Sequence, residues 1–101
     1  MEVITGNWKT RYVYINGKYL DPKASQAVYN HSPDGFNWGY GGSGPAQLAL
    51  AILLAFKGKV FALSHHQLFK WDIIAKLPEA DFELSMDTVR QWIIEHTEKD
   101  L

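Results

Sequence analysis

The chain has 101 residues, of which 47% are hydrophobic, 14% aromatic and 21% charged. This composition is typical of one globular domain, residues 1–101, that can fold around a hydrophobic core without disulfides or structural metal ions. It argues against a disordered chain. A formal net charge of -1 disfavours a nucleic-acid partner. The absence of cysteine excludes a disulfide framework, a thiolate nucleophile and a cysteine-based zinc site.

The N-terminal residues do not have the features of a targeting signal. Glu2 stands where a secretory signal peptide carries positive charge, and no apolar region of about 7–15 residues follows it. We therefore expect a cytoplasmic protein, in agreement with the lack of cysteine. The most apolar run, residues 46–56, is shorter than the roughly 20 residues of a bilayer-crossing helix, so no membrane partner is expected.

A β-hairpin is predicted near the N-terminus. Asn16 and Gly17 lie between β-prone segments, and this dipeptide is the strongest local signal for a two-residue type I′ turn. The predicted strands cover residues 9–15 and 18–20. Pro22 follows the second strand, which it helps to end because proline cannot donate to a strand ladder.

A second hairpin is predicted from the Ser-Pro-Asp-Gly sequence at residues 32–35. Proline presets φ in such a turn, aspartate accepts a local backbone bond, and glycine supplies positive φ. The flanking strands are expected at residues 27–30 and 36–38. Together the two hairpins predict a small antiparallel sheet of three or four strands.

A glycine-rich segment leads into the most apolar run of the chain, and residues 37–56 read NWGYGGSGPAQLALAILLAF. Pro45 suits the first position of a helix, with Ser43 or Gly44 as its N-cap. Because nearly every face of the following helix is apolar, we expect it to be the buried core helix. Gly58 is expected to end it.

Two further helices are predicted, at residues 64–76 and 86–96, with an extended stretch at residues 82–84 and a frayed tail at residues 97–101. The apolar stripes of the first are formed by Leu68, Trp71 and Ala75 and by Phe69, Ile73 and Leu77. The tryptophans expected in the core are Trp38, Trp71 and Trp92. The fold class is therefore α+β, with two hairpins packed against a buried central helix and two further helices.

The sequence HSPDGFNWGYGGSGPAQLALAIL at residues 31–53 resembles a family of small proteins of unknown function from bacteria, phages and other mobile elements. The likeness continues more loosely through residues 69–71 and 77–78 to residues 92–93, about two-thirds of the chain. The resemblance implies no catalytic residues. It does imply a phage or plasmid setting, in which small proteins often bind and inhibit host components.

The glycine-rich loop is a candidate anion site, because free backbone N–H groups at a helix N-terminus attract phosphate or carboxylate. Gly39, Gly41 and Gly44 also spell the dinucleotide fingerprint, but the acidic residue that should follow is missing. A purely structural interpretation is favoured, in which the glycines let the bulky Trp38 and Tyr40 pack against the helix. The ligand-binding candidates are Trp38, Tyr40, Gly41, Gly42, Ser43 and Gly44.

No catalytic residues and no cofactor are predicted. Ser43, with His31 as a base and Asp34 to orient it, is the only nucleophile constellation worth considering, and an N-cap role for Ser43 is favoured. No metal site is predicted either. His65 and His66 are adjacent on a helix and point about 100° apart, so they cannot share a metal.

Aromatic residues of the first hairpin are candidates for contact with a partner protein, because Tyr and Trp dominate interface energetics. Cross-strand pairing within the sheet is the alternative. The partner-binding candidates are Trp8, Tyr12, Tyr14 and Tyr19. The leading hypothesis is thus a non-enzymatic protein-binding factor of a phage or mobile element. The alternative hypothesis is a binder of a small anion or nucleotide.

Overall fold

The structure is a computed structural model and describes residues 2–99. It has the expected α+β class, with one open antiparallel four-stranded sheet and four helices. The elements in chain order are β1 (Val3–Gly6), β2 (Val13–Ile15), β3 (Lys18–Tyr19), α1 (Pro22–Val28), α2 (Ser43–Lys57), α3 (Lys59–Asp72), a short 3₁₀ helix (Ile74–Lys76), β4 (Phe82–Ser85) and α4 (Met86–Lys99).

The sheet has the strand order β3-β2-β1-β4, and all of its pairs are antiparallel. Ile4 lies opposite Ile15 on one side and opposite Leu84 on the other. Because side chains alternate along a strand, this register directs one row of apolar residues into the core. The opposite face carries Thr5 and Tyr14, which are only partly buried.

The Asn-Gly hairpin is confirmed. Asn16 has φ 52° and Gly17 has φ 81°, as a type I′ turn requires, and Tyr14 pairs with Tyr19 across it. The first strand is shorter than predicted, because residues 7–12 form a loop rather than a strand.

The second predicted hairpin is wrong. Residues 27 and 28 end α1, and residues 36–38 are not a strand. Asp21 is the N-cap of α1, its carboxylate accepting the N–H of Lys23, and Pro22 occupies the first helical turn. The sheet is completed instead by β1 and by the stretch that includes residues 82–84.

The buried central helix is confirmed as α2, in which every residue from position 44 to position 53 is buried. Its N-cap is Gly42 rather than Ser43 or Gly44. Gly58, at φ 92°, ends it as predicted, and the Gly58 N–H donates to the carbonyl of Leu54. Among residues 2–99, no helix combines the length and the apolar character that crossing a bilayer requires.

The helix α3 begins earlier than predicted, at Lys59, directly after the end of α2. Its buried residues are Ala62, His66, Phe69 and Lys70. Trp71 and Leu68 are about half exposed, so the prediction of a core position for Trp71 is wrong, whereas Trp38 and Trp92 are buried. The helix α4 continues past its predicted end at residue 96 to residue 99; of the predicted frayed tail, residues 100 and 101 lie outside the described part of the chain.

Candidate functional site

A cleft of about 460 Å³ opens between the loop at residues 7–12 and the start of α2. Its polar lining includes Arg11, Asp34, Asn37, Tyr40 and Ser43. A smaller cleft of about 140 Å³ shares Arg11 and Asp34 and is bounded by Tyr12 and Tyr19. Candidates from the glycine-rich loop and from the hairpin therefore line adjoining clefts, and Arg11 borders both. We call the two joined clefts the Arg11 cleft.

Arg11 is held in an unusual backbone conformation. Its φ is 63°, a left-handed value that non-glycine residues rarely adopt and that often accompanies function. Two backbone bonds close the loop: Arg11 N–H donates to the Asn7 carbonyl at 2.7 Å, and Asn7 N–H donates to the Tyr12 carbonyl at 3.0 Å. This loop places Arg11 in the lining of both clefts.

The guanidinium of Arg11 is oriented by two neighbours. It lies 3.5 Å from the ring centroid of Trp8, a cation–π contact, and its Nε donates to Asn37 Oδ1 at 3.0 Å. Among the side chains that the structure describes, those of residues 2–97, no carboxylate forms an ion pair with Arg11. Since Nε is used by Asn37, the terminal N–H groups are the ones that an incoming acceptor can bind.

The opposite wall of the cleft is formed by the glycine-rich loop and the first turn of α2. Asn37 Nδ2 donates to the Tyr40 hydroxyl at 3.2 Å within this wall, and the bond from Arg11 Nε to Asn37 Oδ1 joins the two walls. The N–H groups of Ser43 and Gly44 lie in the first helical turn, where they have no intrahelical acceptor and where the helix dipole is positive. Asp34, which is exposed, adds one negative charge to the rim.

The glycines of the loop permit close ring packing. A Cβ at Gly41 would overlap the ring of Trp71, and one at Gly42 would overlap the ring of Tyr40. These two glycines therefore admit bulky rings, as the structural interpretation of the loop expects. The rings are those of Tyr40 and Trp71, however, and not those of Tyr40 and Trp38. Tyr40 itself is 44% exposed and faces the cleft.

Trp38 is not available as a ligand-stacking residue. Its side chain is fully buried, its Nε1–H donates to the Ala80 carbonyl at 2.9 Å, and its ring meets Trp8 and Phe82 edge-to-face at 5.7 and 4.8 Å. The expected stacking of a ligand on Trp38 therefore does not fit the structure. Of the two ring candidates, Tyr40 keeps an open face.

The hairpin tyrosines form a cluster beside Arg11. Tyr12 and Tyr19 are 51% and 48% exposed, with ring centroids 5.5 Å apart, and Tyr14 approaches Tyr19 at 5.9 Å. Partial burial, with smaller contributions from Asp21, Tyr12 and Tyr14, raises the pKa of Tyr19. Trp8 is partly covered by the Arg11 guanidinium, so it supports that side chain rather than offering a free surface.

A second polar cluster lies where the loop after α1 meets α3. His31 and His66 approach with their Nε2 atoms 2.9 Å apart, and the ring of His31 stacks on Tyr29 at 4.3 Å. Burial, then the neighbouring His66 and Lys70, lowers the pKa of His31. The His31 side chain therefore packs against α3 through its contact with His66.

The Ser43, His31 and Asp34 constellation is not assembled. In the described part of the chain no hydrogen bond joins Ser43 to His31, whose Nε2 is engaged by His66. Ser43 and Asp34 line the Arg11 cleft, whereas His31 does not. The geometry therefore contains no activated serine at this position.

The model of a family of unknown function, DUF6166, matches residues 5–95. The chain belongs to this family. The DUF6166 match includes both walls of the Arg11 cleft and the His31–His66 cluster, and the family description carries no activity. No curated protein matches the chain, and no solved structure does.

Arg11 and Asn37 line the cleft but were not predicted from the sequence as site residues. They lie 26 positions apart and are joined by a side-chain hydrogen bond. Nothing in the local sequence marks an arginine with left-handed backbone. The one sequence feature that could have indicated Arg11 is its position next to Tyr12 and near Trp8, which were both predicted to contact a partner.

Proposed function

We propose that this DUF6166 member is a non-enzymatic binding protein that holds an acidic segment of a protein partner in the Arg11 cleft. The observation that carries the proposal is the oriented Arg11 guanidinium, which has no carboxylate partner among the described side chains of residues 2–97. Arginine forms two parallel hydrogen bonds to a carboxylate, and fixing its planar group in advance reduces the entropy lost on binding.

The aromatic rim supports a polypeptide partner. Tyr12 and Tyr19 expose about half of their surface beside Arg11, and Tyr40 borders the other side. Tyrosine and arginine are enriched among the residues that dominate binding energy at protein interfaces. A partner peptide that places a carboxylate on Arg11 and its neighbouring apolar side chains against the tyrosines would use both the cation and the aromatic rim.

A small anionic ligand or nucleotide is the second candidate. It is favoured by the first-turn N–H groups of Ser43 and Gly44, which border the same cleft as Arg11. Pro45 removes one donor from this set, whereas the negative charge of Asp34 opposes either acidic occupant. The half-exposed Tyr12 and Tyr19 beside Arg11 would not be used by a phosphate at the helix N-terminus, so the protein partner is the better-supported occupant.

The setting that we propose is cytoplasmic, with the protein serving a phage or mobile element as an accessory factor of the host-takeover or counter-defence type. The support is the resemblance of residues 31–53 to a family with that distribution. A partner would then be a host protein with an exposed acidic segment.

The test compares Arg11→Met with Lys57→Met, each of which replaces one cation by methionine. Lys57 ends α2, about 20 Å along the helix from its first turn, so it is a matched control outside the cleft. Proteins captured from host lysate by the wild type are identified. We expect Arg11→Met to lose a partner that Lys57→Met retains, and Tyr19→Ala to weaken its capture.

Nuclear magnetic resonance titrations with a synthetic Asp/Glu-rich peptide, inorganic phosphate and ATP separate the two candidates. Shifts at Arg11 and Tyr19 with the peptide alone support the protein partner. Shifts at Arg11 and Ser43 with phosphate or ATP alone favour the small ligand. If partner capture survives Arg11→Met and no probe shifts any resonance, both the protein-partner and the small-ligand proposals are contradicted.

A further inference from the structure

The outer face of α3 carries a row of exposed apolar side chains, which we call the α3 stripe. Its members are 82%, 38%, 48% and 55% exposed and are, in this order, Val60, Leu63, Leu68 and Trp71. Because successive helical residues are turned by about 100°, these four positions share one side of α3, opposite the buried Ala62 and Phe69. Nothing in the described part of the chain buries this side.

No charged residue interrupts the α3 stripe. Residues 60–69 contain no Asp, Glu, Lys or Arg, and the two exposed residues between the apolar ones, Ser64 and Gln67, are neutral. The stripe therefore offers no cation to an acidic segment of the kind proposed for the Arg11 cleft, and no anion to a basic one. Its chemistry favours an occupant that is itself apolar and uncharged.

The order of residues along α3 makes the stripe complementary to a reversed copy of itself. Turning the helix end for end about the midpoint between residues 65 and 66 exchanges Val60 with Trp71 and Leu63 with Leu68. The same operation exchanges Ser64 with Gln67. Each exchange places an apolar residue level with an apolar one, or a polar residue level with a polar one.

We propose that two copies of this chain associate through α3, with the two helices antiparallel across a twofold axis near residues 65 and 66. A twofold interface uses the same patch on both copies, as this symmetric stripe requires. Lys59, the first residue of α3, then comes level with Asp72, the last residue of the other copy's helix. A parallel pair would instead place like charges and like ends of the helix dipoles together.

The exposed area is sufficient for a dimer of modest stability. The four apolar residues together expose on the order of 400 Å², an area at which an apolar patch on a monomer marks an interaction site. With the exposed Lys59, Ser64 and Gln67 the face reaches roughly 700 Å², compared with about 800 Å² per partner in a standard interface. We therefore expect association at micromolar concentrations.

Trp71 is the anchor of the proposed interface. Its ring lies against the backbone of Gly41, where a Cβ would overlap it, and the Lys70 ammonium lies 4.4 Å from the ring centroid. These neighbours support the ring before association, which reduces the entropy that the dimer loses. Tryptophan is also enriched among the residues that dominate interface energies. The dimer would bury this exposed ring.

Sedimentation equilibrium of the untagged chain, from about 1 µM to about 1 mM, tests the association. We expect the mean mass to rise from that of one chain toward that of two. Val60→Glu places a carboxylate within the stripe and should weaken association at least about 10-fold, because the dimer would have to desolvate it. Ile94→Glu is the matched control, since Ile94 is a 49% exposed residue of α4, and it should associate like the wild type.

Disulfide cross-linking tests the antiparallel arrangement, because the chain has no cysteine of its own. In an antiparallel pair Ser64 is displaced along the helix by about 4.5 Å from Ser64 of the other copy, whereas Val60 is displaced by about 17 Å from its counterpart. Ser64→Cys should therefore cross-link and Val60→Cys should not. In a parallel pair each position would meet its own counterpart, so both variants would cross-link.

The proposal is overturned if the wild type remains a single chain at every concentration, which would leave the stripe to a different partner. It is also overturned if Val60→Glu associates as tightly as the wild type, or if Val60→Cys cross-links as readily as Ser64→Cys. Arg11→Met should still dimerise, and Val60→Glu should still capture the partner of the Arg11 cleft. The dimer and the cleft proposal can therefore fail independently.

Discussion

The side-chain oxygen of Gln47 accepts the backbone N–H of His31 at 2.7 Å, which ties the loop after α1 to the core helix α2. The same oxygen accepts the Ser32 N–H at 2.9 Å. The amide nitrogen donates to Ser25 Oγ and to the Tyr29 carbonyl. Gln47 is fully buried, so a single polar side chain in an apolar helix satisfies four groups of a neighbouring segment.

Gln47→Leu should destabilise the protein by on the order of 3 kcal/mol, because it leaves buried donors and acceptors unpaired. The melting temperature should fall by more than about 10 °C for a chain of this size. Gln67→Leu is the matched control, since Gln67 lies exposed on α3. Equal melting temperatures for the two variants would contradict the role assigned to Gln47.

Gly44→Ala should destabilise the protein more than Gly41→Ala does. A Cβ at Gly44 would lie 2.6 Å from Cβ of Asn37 and 3.2 Å from its backbone nitrogen, which cannot move without the chain. A Cβ at Gly41 meets only the outer edge of the half-exposed Trp71 ring, which can turn away. Overpacking costs roughly 1–3 kcal/mol, so we expect the upper end for Gly44 and the lower end for Gly41.

Urea denaturation of both glycine variants measures this difference, and the tryptophan fluorescence of Gly41→Ala reports whether Trp71 has moved. Alanine normally stabilises a helix by about 1 kcal/mol relative to glycine. A more stable Gly44→Ala variant would therefore show that the close approach of Asn37 to α2 does not exist in solution.

Arg11→Gly should leave the free energy of unfolding within about 1 kcal/mol of the wild type. Glycine relieves the cost of a positive φ, roughly 1–2 kcal/mol, while the substitution loses the cation–π contact with Trp8 and the bond to Asn37. Arg11→Met keeps the strain and loses the same contacts, so it should be the less stable variant. Chemical denaturation of the pair measures this ordering, and the reverse ordering would contradict it.

Tyr19 should make the protein lose stability at alkaline pH. Partial burial and the charge of Asp21 raise its pKa in the folded state above the value of about 10 that it has in an unfolded chain. The unfolded state therefore ionises first, so stability is unaffected below about pH 10 and falls as the pH rises from there through the folded pKa.

Phenolate absorbance followed during a pH titration should show one tyrosine that ionises late, and Tyr19→Phe should remove it. Asp21→Asn keeps a side-chain oxygen for the N-cap of α1 but removes the charge, so it should lower the pKa of Tyr19. If the late transition persists in Tyr19→Phe, the assignment is wrong.

The sequence alone was sufficient for the elements whose causes are local. The Asn16–Gly17 turn follows from residues that tolerate positive φ, and the buried helix α2 follows from an apolar run that proline and glycine begin and end. The α1 helix was also locally encoded. Asp21 and Pro22 are an N-cap and a first-turn proline, but Pro22 was interpreted as the end of a strand.

Only the tertiary structure decided which strands form the sheet and which polar groups meet. The register of β1 against β4 joins residues near opposite ends of the chain, and short strands gain stability only from such partners. The bond from Arg11 to Asn37 and the contact of His31 with His66 span 26 and 35 positions. Local propensity carries no information on contacts at that separation, because packing around α2 sets them.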